Sequence, residues 1–514
     1  MDTTQRINEL LKQRIKIHMC EKYVNDEICV AGWVKFIRRQ GKRYFLKVYD
    51  SKKSRHSSIL QIMFEKTPEL QEYFAPLEHV TTGCSILVKG FIKESPAKGQ
   101  KIEMLGNEYY VLGYVKEASS FPSSKSDLTM DYIREISHLD CHIDVKSAIF
   151  SVRSAVELAT EKFFEINDYT KSDMPLITFS ECEGGCQPMQ VSLFFTTGII
   201  NDIPVVEYKC DTKDTEYTSL SDKFSSLDVS PKLLVDFSKD FFGKKSCLTV
   251  SAQLELETHL PQGGVWTMTR AVRGEPSQTS RHLTEFSMVE LEKGFSTGSQ
   301  DIIDISVEYI KFCLKYAMEN CQDELEYLEK YYEKSIFERL SKFVSDDFAT
   351  ITHAQAVTLC LRQPEGTFNE LPTYDGDLSS EHEKFLADIH FKRPTIIRFY
   401  PKKVKAFYMP VIPETIEESH NVEHVDSFDI IVPDVGELVG GSQRIHEYDE
   451  LIKRIEELKI DHEPLKFYTD LRKSGSIPHG GMGMGLERLV KFITCAESVK
   501  DCVPYPRFIG CGKK

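Results

Sequence analysis

The hydrophobic period changes along the chain, and the changes mark out its parts. Residues 3 to 22 place Ile7, Leu10, Leu11, Ile15 and Ile17 loosely on one side, which predicts an amino-terminal helix. From Glu27 the period shortens to that of strands. ICVAGWV, RYFLKVYD, SSILQIMF, CSILVKGFI and KIEMLGNEYYVLGYV follow in under 100 residues with turn residues between them, which predicts a small β-barrel. A Ser/Pro-containing stretch, ASSFPSSKS, reads as part of a hinge. Helical spacing then returns in VKSAIFSVRSAVELATEKFFEIND, followed by an extended MPLITF. Residues 192 to 234 are polar and irregular and read as a surface insertion. Farther on, Trp266, Met268 and Val272 before a polar loop, and Leu283, Phe286, Met288, Val289 and Leu291 after it, predict a hairpin. Residues 301 to 345 have helical periodicity with many Glu and Lys, and RPTIIRFYPKKVKAFYMPVI reads as sheet strands. A glycine-rich strand near the end runs into a helix beginning near Leu486.

These patterns give an α+β chain: a helical extension over 1–26, a barrel over 27–114, a hinge over 115–140 and a large domain over 141–514. Its 514 residues are too many for one core, so several domains are expected on length alone. With 41% hydrophobic and 28% charged residues the composition is that of a soluble globular protein. No run approaches the length of a membrane span and the first residues lack an apolar leader, so no membrane association and a cytoplasmic location are expected. The 14 cysteines show no ladder of spacings, which suits reduced thiols; Cys182 and Cys186 form a C-x3-C with no second half of a zinc site.

Charge changes the picture locally. The formal net charge is -15, yet between Lys35 and Arg55 nine basic residues face one acidic, Asp50. A barrel with a basic, aromatic face suits single-stranded nucleic acid, because cations track phosphates while rings stack on bases; a solvated basic surface is the plainer reading. The hairpin concentrates Arg270, Arg273, Glu275, Arg281, His282, Glu285 and Phe286 within apolar flanks. Charges there are costly to desolvate unless paired, so either cross-strand salt bridges or a polyanion with a flat ring, such as a nucleotide, is expected.

R-G-E, then H-L and E-F in this hairpin resemble motif 2 of the class II aminoacyl-tRNA synthetases, in the aspartate/asparagine branch. The resemblance implies an OB-fold barrel that binds the anticodon and a catalytic domain of antiparallel sheet flanked by helices. It also implies ATP binding by Arg273, Glu275, Arg281, His282, Leu283, Phe286, Glu437, Gly485 and Arg488. Of these, Arg273 and Arg488 would be catalytic, and Phe286 would lie under the adenine. PHGGMGMGLER is similar to motif 3, and the long helix with the strand after it looks like motif 1, the family's homodimer interface. Asp429 and Glu437 stand where the family holds Mg²⁺, and oxygen donors bridging to phosphate suit that ion. In the barrel, the resemblance implies that Phe45 stacks on the central anticodon base and that Arg38 and Gln61 make polar contacts to it.

The amino-acid end separates the two branches. Aspartate enzymes place a lysine three residues after the glutamine of S-x-Q-L; here Gln253 is followed by Leu254, Glu255, Leu256 and Glu257. A carboxylate at 257 accepts an amide NH2 and repels aspartate. Resemblance to the asparagine enzymes implies an asparagine site of Glu183, Gln253, Glu257, Arg273, Gly440 and Arg444. The implied reaction is ATP-dependent ligation of L-asparagine to tRNA(Asn) through an adenylate, with Mg²⁺ as cofactor. The alternatives are an aspartyl-tRNA synthetase, an asparagine synthetase on the same catalytic fold, and a non-catalytic RNA-binding paralogue.

Overall fold

The computed structural model describes residues 2–513 except 57, 66–70, 98, 120, 123–127, 181–187, 195–202, 208–232, 277–278 and 413–420. Glu183, Cys182, Cys186 and most of the expected insertion lie outside the described residues.

Five strands, β1 (Glu27–Gln40), β2 (Arg43–Tyr49), β3 (Leu60–Glu65), β4 (Ser85–Glu94) and β5 (Ile102–Gly113), close into a barrel in the order β1-β2-β3-β5-β4. Strict alternation sends Leu46, Val48, Ile62 and Phe64 inward and leaves Phe45, Lys47, Gln61 and Met63 on the outer face. Closure needs a glycine at Gly32, where a Cβ would stand 2.4 Å from the Tyr49 carbonyl oxygen.

The amino-terminal helix is shorter than its periodicity predicts. α1 covers Thr3–Gln13, and the chain is then extended before a 3-10 segment at Ile17–Tyr23. The barrel supplies the reason: Ile15 N donates to the Cys29 carbonyl at 2.7 Å and Ile17 N to Asp50 Oδ2 at 3.1 Å, in place of helical bonds. Leu10 packs with Cys29 and Leu87, and Ile17 and Cys20 complete the barrel core, so this extension belongs to the barrel.

The large domain is built on an eight-stranded sheet. Along the chain its strands are β6 (Tyr169–Lys171), β7 (Gly264–Val272), β8 (Glu285–Gly294), β9 (Ala349–Thr352), β10 (Thr395–Arg398), β11 (Ser427–Val432), β12 (Gly436–Gln443) and β13 (His479–Gly485). In space they run β9-β10-β11-β12-β13-β8-β7-β6, antiparallel through the centre with a parallel pair at each edge. Helices α2 (Asp144–Ile166), α3 (Ser299–Asn320), α4 (Gln322–Tyr332) and α5 (Ile336–Ser345) cover one face, and α6 (Leu486–Thr494) follows β13. The core there stacks Phe164 on Trp266 with centroids 4.6 Å apart and seats Tyr309 beside them. β8 shows how the sheet divides labour: Val289 and Leu291 face the helices, so Phe286, Met288 and Glu290 must face the other way.

Elsewhere the structure departs from the expected pattern. Of RPTIIRFYPKKVKAFYMPVI only Thr395–Arg398 is strand, because Phe399 turns left-handed (φ 60) and Pro401 lacks the amide a ladder needs. The insertion is not wholly irregular, since Val205–Glu207 pairs antiparallel with Leu233–Val235 at its base. The end of the expected hinge carries a short helix, Met130–Glu135, whose Arg134 bonds Asp501 at 2.8 Å.

Candidate active site

The face of the sheet opposite helices α2 to α5 carries a cavity of about 520 Å³, walled by β8, β11, β12 and β13. One end is built by the hairpin. Pairing of Ala271 with Phe286 and Val272 with Glu285 sets Arg273 just beyond the ladder, with its guanidinium carbon 5.4 Å from the Phe286 ring centroid. Arg273 Nε donates to the Val250 carbonyl at 3.3 Å. Arg488, on the first turn of α6, reaches across from β13 and donates to the Glu437 carbonyl at 2.6 Å and to Glu437 Oε2 at 3.4 Å. Glu275, Arg281, His282, Leu283 and Gly485 line the same end. A ring with two guanidiniums about it can take a purine and a phosphate chain. Burial, and then the Arg488 charge, lower the His282 pKa, which favours a neutral imidazole; Nδ1 lies 2.6 Å from Thr279 Oγ1.

Carboxylates gather beside Arg488. A Cβ at Gly440 would lie 3.2 Å from Glu437 Oε1 and 3.4 Å from Asp429 Oδ1, so both acids approach one spot from adjacent strands. Burial raises Asp429, with the Glu437 charge adding to it and Lys405 opposing; Lys405 Nζ stands 2.8 Å from Asp429 Oδ2. Burial would raise Glu437 as well, but Arg488 and Lys405 outweigh it and hold the group below its usual value. A third acid, Glu383, is pushed up to about 7 by burial and by Glu437, while it pairs with Arg281 at 3.3 Å. Clustered carboxylates offering only oxygen are the donors Mg²⁺ takes, so the residues fit the ion. The sequence reading missed Glu383 and Lys405, which sit in segments where several residues of the same type compete and no periodicity picks one out.

At the far end, Gln253, Tyr408, Gly440, Gly441 and Arg444 line the cavity, but Glu257 does not. The Glu257 carboxylate is instead buried among side chains behind that wall. Its Oε1 accepts from Gln253 Nε2 at 3.0 Å and Tyr468 OH at 3.0 Å, and its Oε2 from Arg472 at 2.8 Å. His479 Nε2 stands 2.8 Å from the same Oε2. Burial opposes ionisation of Glu257, yet Arg472 and His479 outweigh it and hold the group below the usual carboxylate range. Arg444 is fixed by Glu292 at 2.6 Å and by Ser442 Oγ at 2.6 Å. Oxygens of Glu257 and Glu292 and a nitrogen of His479 come within 4.8 Å of one another, as metal ligands do. Arg444 and Arg472 pair with those carboxylates, and Glu257, Glu292 and His479 all lie behind the cavity wall rather than on it. Arg472, His479 and Glu292 lay outside the sequence reading because only the fold brings them to Glu257.

On the barrel, pairing sets Arg38 opposite Phe45 and Lys47 opposite Gln61 on one outer face, with Phe36 51% exposed nearby. Gln61 Nε2 donates to Glu103 at 3.1 Å. Not all the basic residues reach that face. Arg39 donates to the carbonyls of Leu77, Glu78 and Val80, and Arg55 is 5% exposed and turned toward the large domain.

The profile of the class II tRNA synthetases (D, K and N) matches residues 229–509, and that of the OB-fold nucleic acid binding domain matches residues 28–112. Asparagine–tRNA ligase of Aliivibrio fischeri is 36% identical over 487 residues, 94% of this chain and 95% of that one. This chain belongs to the asparaginyl-tRNA synthetase family. A Haemophilus influenzae asparagine–tRNA ligase is 35% identical over 488 residues, with the same coverage. The asparaginyl-tRNA synthetase of Pyrococcus horikoshii, solved with asparaginyl-adenylate, superposes with TM-score 0.77 at 25% identity, covering 97% of this chain and 98% of that one. An aspartyl-tRNA synthetase from Entamoeba histolytica, 18% identical with TM-score 0.70, shares the architecture alone.

Proposed function

We propose that this asparaginyl-tRNA synthetase joins L-asparagine to ATP as an adenylate, releasing pyrophosphate, and passes the asparaginyl group to the terminal ribose of tRNA(Asn). The observation that carries the reading is one cavity with the Arg273 guanidinium over the Phe286 ring at one end and, at the other, Gln253 and Arg444 held by buried carboxylates.

The asparagine carboxylate attacks the α-phosphorus, and a tRNA hydroxyl later takes the acyl group, so no protein nucleophile is needed. The protein positions and neutralises. Phe286 lies under the adenine and Glu275 accepts from its amino group. Arg273 bridges the α-phosphate and the amino-acid carboxylate, and Arg281, His282 and Arg488 take the outer phosphates. Glu437 and Asp429 would hold Mg²⁺, which when bound supplies charge neutralisation to the phosphates. Glu183 is assigned to the α-ammonium.

At the amide end Glu257 acts through Gln253. A carboxylate only accepts, so the Gln253 amide nitrogen faces it and the amide oxygen is left for the asparagine NH2. Arg444 donates to the asparagine side-chain oxygen. Its charge is already balanced by Glu292, which removes the incentive for an aspartate to enter. Phe45, Arg38 and Gln61 read the anticodon. The protein works as a cytoplasmic homodimer through α2, where Leu158 and Ile166 are 49% and 71% exposed, and no described helix is long and apolar enough to cross a membrane.

The test is ATP–pyrophosphate exchange with Mg²⁺ and no tRNA, comparing asparagine with aspartate. Exchange driven by asparagine alone is expected. Exchange driven by aspartate would overturn the amide reading, and none with either would overturn the enzyme.

A further inference from the structure

Arg55 stands where the barrel meets the large domain, and no step of the reaction uses it. It follows β2 through a turn tied by Asp50 Oδ1, which accepts from Ser51 Oγ at 3.0 Å and Ser54 Oγ at 2.9 Å. The guanidinium lies 4.6 Å over the Tyr49 ring, still within the barrel. All its polar bonds then cross to the other domain. Nε donates to Asp144 Oδ1 at 2.8 Å, and Nη1 and Nη2 to the carbonyls of Cys141 and His142 at 2.5 Å each. Lys35, on β1, takes the other oxygen of Asp144 at 2.8 Å. A side chain from β1 and one from the turn after β2 therefore meet on one carboxylate, and those two strands carry Arg38 and Phe45 of the anticodon face. Burial would raise Asp144, but Lys35 and Arg55 outweigh it and keep it charged.

Asp144 is the first residue of α2, and α2 leads to the ATP site. In its middle, Arg153 donates to Glu487 at 2.9 Å and to Ser287 Oγ at 2.8 Å. Glu487 precedes Arg488, and Ser287 follows Phe286. One helix thus joins the barrel contact to β8 and α6.

The geometry points to Arg55, with Lys35 and Asp144, as a clamp that fixes the barrel's angle so that tRNA held at its anticodon presents its acceptor end to the adenylate. The inference rests on the proposed function. A planar fork bonded on three sides fixes orientation as well as distance, which a lysine at 55 would not do. A small tilt at the barrel grows along the length of a bound nucleic acid, so an error there appears at the reacting hydroxyl. Arg55 is then a positioning residue. The amino-acid activation step, which involves no tRNA, does not depend on it.

The test uses the full chain with Arg55→Met, Asp144→Asn, the pair together, and Arg55→Lys. The tRNA charging kcat should fall about 10- to 100-fold, the range that misplacement of reacting atoms produces. The tRNA KM and asparagine-dependent pyrophosphate exchange should stay within about twofold. The double variant should lose no more than the worse single one, because the partners act as a unit, and Arg55→Lys should restore only part. Small-angle scattering of Arg55→Met, which needs no substrate, should show a broadened distance distribution. Unchanged charging or an unchanged scattering profile would overturn the clamp. A loss confined to KM would make Arg55 a phosphate contact, and a parallel fall in exchange would make it ordinary structural support. Failure of the functional reading looks different: the unsubstituted protein would show no asparagine-dependent exchange.

Discussion

Replacing Glu257 by Gln tests how the amide end of the cavity works. The substitution keeps the size of the side chain and removes its charge. Gln253 Nε2 loses a carboxylate partner at 3.0 Å, and Arg472 loses one at 2.8 Å while retaining the Tyr468 hydroxyl and the Ile445 carbonyl. A buried hydrogen bond to a charged group contributes about 1.5–3 kcal/mol. If the Gln253 bond alone orients the ligand's amide partner, losing it should raise the asparagine KM roughly 10- to 150-fold, since about 1.4 kcal/mol is one factor of ten. The new amide at 257 can donate as well as accept, so Gln253 is no longer held one way round and the preference for asparagine over aspartate should shrink. The assay is pyrophosphate exchange across asparagine and aspartate concentrations, with circular dichroism confirming that the fold persists. An asparagine KM and an asparagine/aspartate ratio both within twofold of the unsubstituted protein would refute the idea that Glu257 acts through Gln253.

Arg273→Ala should lower asparagine-dependent exchange about 10²- to 10³-fold, as loss of one preorganised donor to developing charge does, with little change in Tm; an activity loss under tenfold would remove Arg273 from the α-phosphate. Glu383 has its pKa raised from 4.5 to about 7, so above 4.5 the folded state binds more proton than the unfolded one and stability falls as pH rises toward 7. Glu383→Gln should flatten that part of the Tm–pH curve of the ligand-free protein, and an unaltered slope between pH 5 and 7 measured by calorimetry would contradict it. Phe45→Ala should raise the tRNA KM by the roughly 1–3 kcal/mol of one base–aromatic stack while leaving exchange untouched; an equal effect on exchange would speak for damage beyond the barrel.

The sequence by itself determined the elements and their chemistry. Strict alternation in RYFLKVYD and SSILQIMF dictated which residues fill the barrel, and that fixed Phe45 and Gln61 on its outer face. The hairpin from Gly264 to Gly294 was legible because its apolar flanks and charged loop leave no other register in which Val289 and Leu291 are buried. Arg273, Phe286 and Arg488 were singled out by the resemblance to motifs 2 and 3, and each lies within a few residues of a strand or helix end. What only the tertiary structure decided is which charges meet. Glu257 and Arg472 are 215 residues apart, Arg281 and Glu383 102, and Arg55 and Asp144 89. Periodicity reports which face a residue occupies, whereas a buried ion pair depends on two elements arriving at one place. The sequence therefore offered Glu257 as a ligand contact and Arg55 as one more surface cation. Packing assigned the first to holding Gln253 and Arg472 and the second to joining two domains, because a buried charge is stable only where its partner has been brought to it.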